Sequence, residues 1–384
     1  GELIRLQVQL EGMAPDERGY SPAGKKVRDL EKTQTQFGQL PGGVSKFEHR
    51  CGFIEQIELT LTSFLKNAED IFAHNPIQHV VLRAKSAKLA KIAELSQLAN
   101  LRSLELRENQ LGNAGLKTLV GAPQMRSLER LTIYSNEIDD LGIAELVNFE
   151  NLAGVRELRI LNNDVTDEGV AALADSAVLN RISLLEIIGA FSDETFRHLA
   201  RSENFRLLEN LAMASRVTRT MPTAEGLQAF GQSEFDAPLK ELTLLDCISN
   251  GIGKGFADSP RLASLKKLEI SWCDLGDSDA QDLVQSLPPL EVLRLEENSI
   301  GDDGARALAS SPLLESLQKV YLTNNAIKVP GVKALAASLF RQKKTKFYLA
   351  GNPLDEAELK QIAEIAGKSF GNFGRPQPYW TSFR

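Results

Sequence analysis

Leu101-Arg-Ser-Leu104-Glu-Leu106-Arg-Glu-Asn109-Gln-Leu111 decides the fold of this 384-residue chain. It reads L-x-x-L-x-L-x-x-N-x-L, and related strings start at Leu128, Val155, Ile182, Leu208, Leu239, Leu265, Leu290, Leu317 and Lys344. Successive starts lie 27, 27, 27, 26, 31, 26, 25, 27 and 27 residues apart, a period too regular for chance. Two degenerate copies, at Ile54 and Ile77, bring the number of units to about twelve over residues 53–368. Within a unit, L-x-L has the two-residue period of a short strand with alternate side chains buried. Asn109, Asn136, Asn163, Asn298, Asn325 and Asn352 recur after the strand, where a buried amide can satisfy backbone groups between units. An acidic or polar helix start follows, as in Asp167-Glu168 and Asp302-Asp303. A short Ala-rich helix such as Gly169–Ala174 closes the unit.

This pattern resembles the leucine-rich repeat. The long unit, with G-D-x-G-A-x-x-L-A after the strand (Gly301–Ala309), resembles the ribonuclease-inhibitor-like subclass. The resemblance implies an α/β solenoid, or horseshoe, with a parallel sheet on its concave wall and helices on its convex wall. A unit cannot bury its apolar face alone, so stacked neighbours make the core continuous. Two units depart from the rule. The interval stretches to 31 between Leu208 and Leu239, which places a longer loop at Ala214–Thr223. The Ile182 unit has Ala190 in the Asn slot. Irregular units fit either a ligand-binding point or a tolerated surface insertion.

Solenoid ends need covering. Phe370, Phe373, Tyr379, Trp380 and Phe383 make residues 369–384 an aromatic cap or tail, with a partner-binding peptide as the alternative. Residues 1–52 carry no repeat and are expected to form an N-terminal helical cap, with Leu3, Leu6 and Leu10 on one helical face and a second helix near Gly24–Gln36. Glu2, Ile4, Arg5, Leu6, Gln7, Gly52 and Phe53 are similar to a bacterial repeat-companion region. That resemblance implies a bacterial source, an N-terminally trimmed start and a place in a larger multidomain protein or complex.

Composition narrows the function. A net charge of −7 argues against a nucleic-acid surface, and no apolar run approaches a membrane span. Three cysteines exclude a disulfide framework and suit a reducing, cytoplasmic setting. Catalytic and cofactor chemistry are sought and not found. Gly112–Thr118 and Gly251–Gly255 have the wrong spacing for a phosphate loop. His49-Arg50-Cys51 does not place a base and a nucleophile on one face, and His74 and His79 lack further metal ligands. Cys247 and Cys273 fall in the Asn slot, as inert core thiols.

The informative positions are those on the strands that the repeat leaves free. Seven residues into successive units stand Arg107, Tyr134, Leu161, Ile188, Ala214, Leu245, Ser271, Glu296, Thr323 and Ala350. Neighbouring positions add Trp272, Tyr321 and Tyr348, with Arg159 and Arg294 among the framing charges. An exposed, mostly apolar stripe from Tyr134 to Leu245 is expected, which is the form of a protein-binding surface. The alternative is that these side chains only stabilise the sheet. The leading expectation is therefore a non-catalytic protein-interaction scaffold without cofactor or metal. Two other readings come from the subclass resemblance. One is an activator of a small GTPase, lowered because the chain ends Arg375–Arg384 without an acidic tail. The other is an enzyme inhibitor like ribonuclease inhibitor, lowered by the modest charge and few cysteines.

Overall fold

The computed structural model describes residues 9–10, 21–33, 44–50, 53–83, 87–215, 222–233, 239–246, 251–339 and 345–355. The expected aromatic tail, the Leu3–Leu10 face, most of the Ala214–Thr223 loop and Cys247 lie outside them. The chain divides into two compact units, the first running to Asn163 and the second starting at Asp164.

In the first unit, α1 (Pro22–Thr33) precedes β1 (Val44–Arg50), β2 (Phe53–Thr60), α2 (Leu61–His74) and β3 (His79–Arg83). Then come β4 (Ser103–Arg107), α3 (Gly112–Val120), β5 (Arg130–Tyr134), α4 (Asp140–Leu146) and β6 (Glu157–Leu161). The stretch ahead of residue 53, expected to be helical, thus supplies a strand as well. β1 pairs antiparallel with β2, and each later strand pairs parallel with its predecessor. An antiparallel partner can follow through a tight turn, whereas parallel neighbours need a crossover. That is why the regular strand–turn–helix rhythm begins only at β2.

The second unit alternates α5 (Asp167–Ala174), β7 (Leu184–Gly189), α6 (Asp193–Arg201), β8 (Asn210–Ser215), α7 (Ala224–Gly231), β9 (Glu241–Leu245) and α8 (Ile252–Gly255). It continues with β10 (Lys267–Ser271), α9 (Asp277–Ser286), β11 (Val292–Arg294), α10 (Asp302–Ser310), β12 (Lys319–Tyr321), α11 (Val329–Leu339) and β13 (Lys346–Tyr348). All its sheet pairs are parallel. Among the described residues, β2–β13 supply twelve repeat strands, the number the period predicts.

The core lies between strands and helices. Leu104, Leu106, Leu131, Ile133, Leu158 and Ile160 fill it in the first unit; Leu185, Ile187, Leu242, Leu244, Leu268 and Ile270 fill it in the second. Burying each such side chain contributes about 1.5–3 kcal/mol. The repeat asparagines close the turns after the strands. Asn136 donates through Nδ2 to Leu106 O at 2.9 Å and Tyr134 O at 2.8 Å, while its Oδ1 accepts from Asn109 N at 3.1 Å. Asn298 repeats this with Ile270 O, Glu296 O and Cys273 N. Cys273 fills the Asn slot of its unit, its thiol facing Ser271 O at 3.3 Å and Leu244 O at 3.7 Å.

The G-D-x-G-A signature has its own cause. The first aspartate of one helix caps the next helix in the stack. Asp277 Oδ1 accepts from Gly301 N and Gly304 N at 2.6 and 2.8 Å; Asp302 Oδ1 accepts from Lys328 N and Gly331 N at 2.9 and 2.8 Å. These bonds satisfy backbone donors that a helix start leaves open. A Cβ on Gly304 would stand 2.9 Å from Asp277 Oδ1, and one on Gly331 would stand 2.6 Å from Asp302 Oδ1, so the helix can approach its cap only as glycine. In the first unit, Asp139 caps its own helix and pairs with Asn113, which holds its carboxyl below the ordinary value.

Further along the helix side, Arg261 is buried, and among the described residues no carboxylate pairs with it. It donates to Phe205 O at 2.9 Å and Ser233 Oγ at 3.1 Å, and it lies 4.4 Å over the Phe230 ring. Burial lowers its pKa to about 10, so it remains charged at neutral pH. The guanidinium thereby pins three successive turns together.

Candidate functional sites on the two sheet faces

Side chains on alternate strand positions point away from the helices and line up across each unit. In the first unit the register sets Arg107 beside Tyr134 and Tyr134 beside Leu161. Arg107 pairs with Glu105 of its own strand, and Arg159 pairs with Glu157 at 3.0 Å. Tyr134 is half-buried, in register between Arg107 and Leu161, while Arg159 stands beside Thr132. Both arginines are thus neutralised locally, which leaves the tyrosine as the prominent group of this column.

In the second unit Ile188, Ala214, Leu245 and Ser271 stand in register. The column is aligned as the repeat predicts, but its apolar members are not at the surface. Leu161 in the first unit and Ile188 and Leu245 in the second are 1%, 6% and 3% exposed. Strands about 4.8 Å apart press equivalent side chains against each other's flanks, so aliphatic columns close over themselves. The expected solvent-facing apolar stripe is corrected accordingly. Tyr321 and Arg294, expected to be exposed, are also buried.

What the second unit does present is a graded stack. Glu269, Arg294, Tyr321 and Tyr348 occupy equivalent positions on β10, β11, β12 and β13. The Arg294 guanidinium lies 3.7 Å from the Tyr321 ring centroid, and the Tyr321 and Tyr348 rings stack at 4.3 Å and 5°. Arg294 also pairs with Glu296 at 3.0 Å. One guanidinium therefore faces two carboxyl groups. Burial, opposed by Arg294 and reinforced by Glu296, pushes the Glu269 carboxyl up to about 7. Burial raises Glu296 as well, against the pull of Arg294.

A second column follows at the turns. Asp246, Trp272, Glu297 and Asn324 all take the left-handed conformation, with φ of 50, 56, 55 and 53°. Their N–H groups donate in turn to Ser271 O, Glu296 O, Thr323 O and Ala350 O, which places Trp272 between Asp246 and Glu297. Asn and Asp tolerate this conformation; for a bulky tryptophan it costs about 1–2 kcal/mol. Trp272 is half-buried here, just past the end of β10 and not within it.

Sequence reasoning put Tyr321, Tyr348, Arg294 and Trp272 among the free or framing positions of the sheet face but missed Glu269. The available signal was position five of each repeat, where Glu269, Arg294, Tyr321 and Tyr348 run consecutively. Among the described residues no group of three or more His, Cys, Asp or Glu side chains could hold a metal, and no helix is long and apolar enough to cross a membrane.

Five segments match the model of the leucine-rich repeat: residues 97–120, 155–174, 261–284, 286–309 and 314–336. No curated protein matches the sequence. Among solved structures, one of the Rad7–Elc1 complex in yeast is 11% identical, with 94% of this chain and 84% of that chain covered at a TM-score of 0.42. An internalin from Listeria monocytogenes is 16% identical, with 78% and 87% covered at 0.39. The TLR13–ssRNA13 complex is 17% identical, with 73% of this chain but only 40% of that chain covered, at 0.41. At these identities and scores none of the three says what this chain binds. Sequence matches at five places and the repeated strand–turn–helix geometry agree, and the chain carries leucine-rich repeats in an α/β repeat solenoid fold.

Proposed function

We propose that the chain is a non-catalytic scaffold that binds a protein partner on the sheet face. The observation that carries this reading is the half-buried Tyr348 ring, stacked on the buried Tyr321–Arg294 pair in the second unit. Tyrosine, tryptophan and arginine are the residues on which protein–protein binding energy concentrates. A ring already held in place from behind loses little freedom when a partner docks. Tyr134, two positions further into its repeat than Tyr321 and Tyr348 are in theirs, is the half-buried aromatic of the first unit. The long unit with its capped helix supports placement in the ribonuclease-inhibitor-like subclass, and the scarcity of cysteine supports a reducing, cytoplasmic setting.

The test is selection of a displayed random-peptide library on the full chain. Selected peptides are then titrated against Tyr134→Glu and Tyr348→Glu. Both tyrosines are only half-buried, so the variants should fold. At least one family of selected peptides is expected to lose tenfold or more in affinity for one variant. Retention of full affinity by every selected peptide for both variants refutes the reading.

A further inference from the structure

Given that Tyr348 is a docking group, the charge cluster beside it bears on when a partner can dock. Glu269, Arg294, Tyr321 and Tyr348 stand in one row across β10–β13, at about 4.8 Å per strand. A standard protein interface covers about 800 Å² of one partner, wide enough to span these four strands. A partner seated on Tyr348 therefore also covers Arg294 and Glu269. The Arg294 guanidinium pairs with Glu296 at 3.0 Å, faces Glu269 on the neighbouring strand and lies on the Tyr321 ring. Glu269 and Arg294 are each 6% exposed, and the Glu296 side chain 12%. Two carboxyl groups thus share one cation with little water. Such a pair does not ionise independently, because the second ionisation leaves an uncompensated charge. Among the described residues the other groups around Glu269 supply no second cation. On β9, Thr243 stands opposite it, and Glu241 holds Lys267 of β10 at 2.6 Å. On β10 the Ser271 hydroxyl donates to Glu269 at 3.5 Å. On β11, Glu297 opposes ionisation of Glu296. Covering the cluster removes its remaining water, which disfavours the extra anion and favours the proton.

We propose that docking of a protein partner over Tyr348 is coupled to proton uptake by the Glu269–Arg294–Glu296 cluster, so that capture weakens on the alkaline side of neutrality. Burial already holds the Glu269 carboxyl at about 7 in the free chain. Below that pH the free chain carries the proton and affinity is level; above it the proton must be taken up on docking, and affinity falls. A further rise of about one unit on docking makes the fall about tenfold between pH 6 and pH 9.

The probe is a peptide selected from a displayed random library encoding no His, Cys, Asp or Glu, chosen for its loss of affinity to Tyr348→Glu. Synthesised with blocked termini, it carries no group that titrates between pH 6 and pH 9. Binding to the full chain is measured by calorimetry across that range, in two buffers of different ionisation heat. The parent should weaken about tenfold and take up about half a proton per peptide at pH 7.5. Glu269→Gln should bind equally at pH 6 and pH 9 and take up none. Glu296→Gln leaves Arg294 to Glu269 alone and should move the fall toward lower pH, which decides the matter should Glu269→Gln not fold. A level parent profile overturns the coupling and leaves the docking surface standing. An equal fall in parent and Glu269→Gln, or an unmoved fall in Glu296→Gln, overturns it likewise. A library without any Tyr348-dependent peptide refutes the docking surface of this unit, and the coupling with it.

Discussion

The sharpest physical consequence of the sheet face is a pH dependence of stability traceable to Glu269. Burial raises its carboxyl from the ordinary 4.5 to about 7. The folded chain therefore holds this proton to higher pH than the unfolded chain does. Stability from this group is fully present below about pH 4.5, is lost as pH rises to about 7, and is level above that. A tenfold change in proton affinity is worth about 1.4 kcal/mol, so between pH 5 and pH 8 the loss amounts to about 2–3 kcal/mol. Glu269→Gln keeps the shape and removes the ionisation. Its stability relative to the parent should thus improve by about 2–3 kcal/mol over that interval. The assay is urea unfolding followed by tryptophan fluorescence in a Trp380→Phe background, so that Trp272, three residues from Glu269, reports on this unit. Repeat arrays can unfold in parts, which makes a local probe preferable to a global one. Parallel pH profiles for parent and variant would refute the reasoning, because they would mean that Glu269 ionises in the fold as easily as in the unfolded chain.

Two further outcomes concern the repeat itself. Asn136→Ala removes both Nδ2 donations and leaves Leu106 O and Asn109 N without their partner in a buried turn; a loss of about 3 kcal/mol is expected, read as a lower thermal midpoint. Asp302→Ala uncaps the following helix and should cost about 1–2 kcal/mol in urea unfolding. Asp303→Ala, which loses only an exposed ion pair with Arg306, should change stability by less than about 0.5 kcal/mol, and equal effects of the two would show that the inter-repeat cap is unimportant.

The sequence by itself determined the architecture. A 27-residue period, alternate leucines and a recurring asparagine are local and repeated, so each unit states the same geometry and neighbours can only stack. It also determined register: the Arg107–Tyr134–Leu161 column and the Ile188–Ala214–Leu245–Ser271 column align as counted. Exposure was another matter. Leu161, Ile188 and Leu245 look free because the repeat does not use them, yet contact with equivalent side chains on adjacent strands buries them. Nor does the chain order reveal that Glu269, 25 residues before Arg294, shares one guanidinium with Glu296. Burial, proton affinity and ring stacking depend on distances between residues remote in sequence, and only the assembled sheet sets those distances.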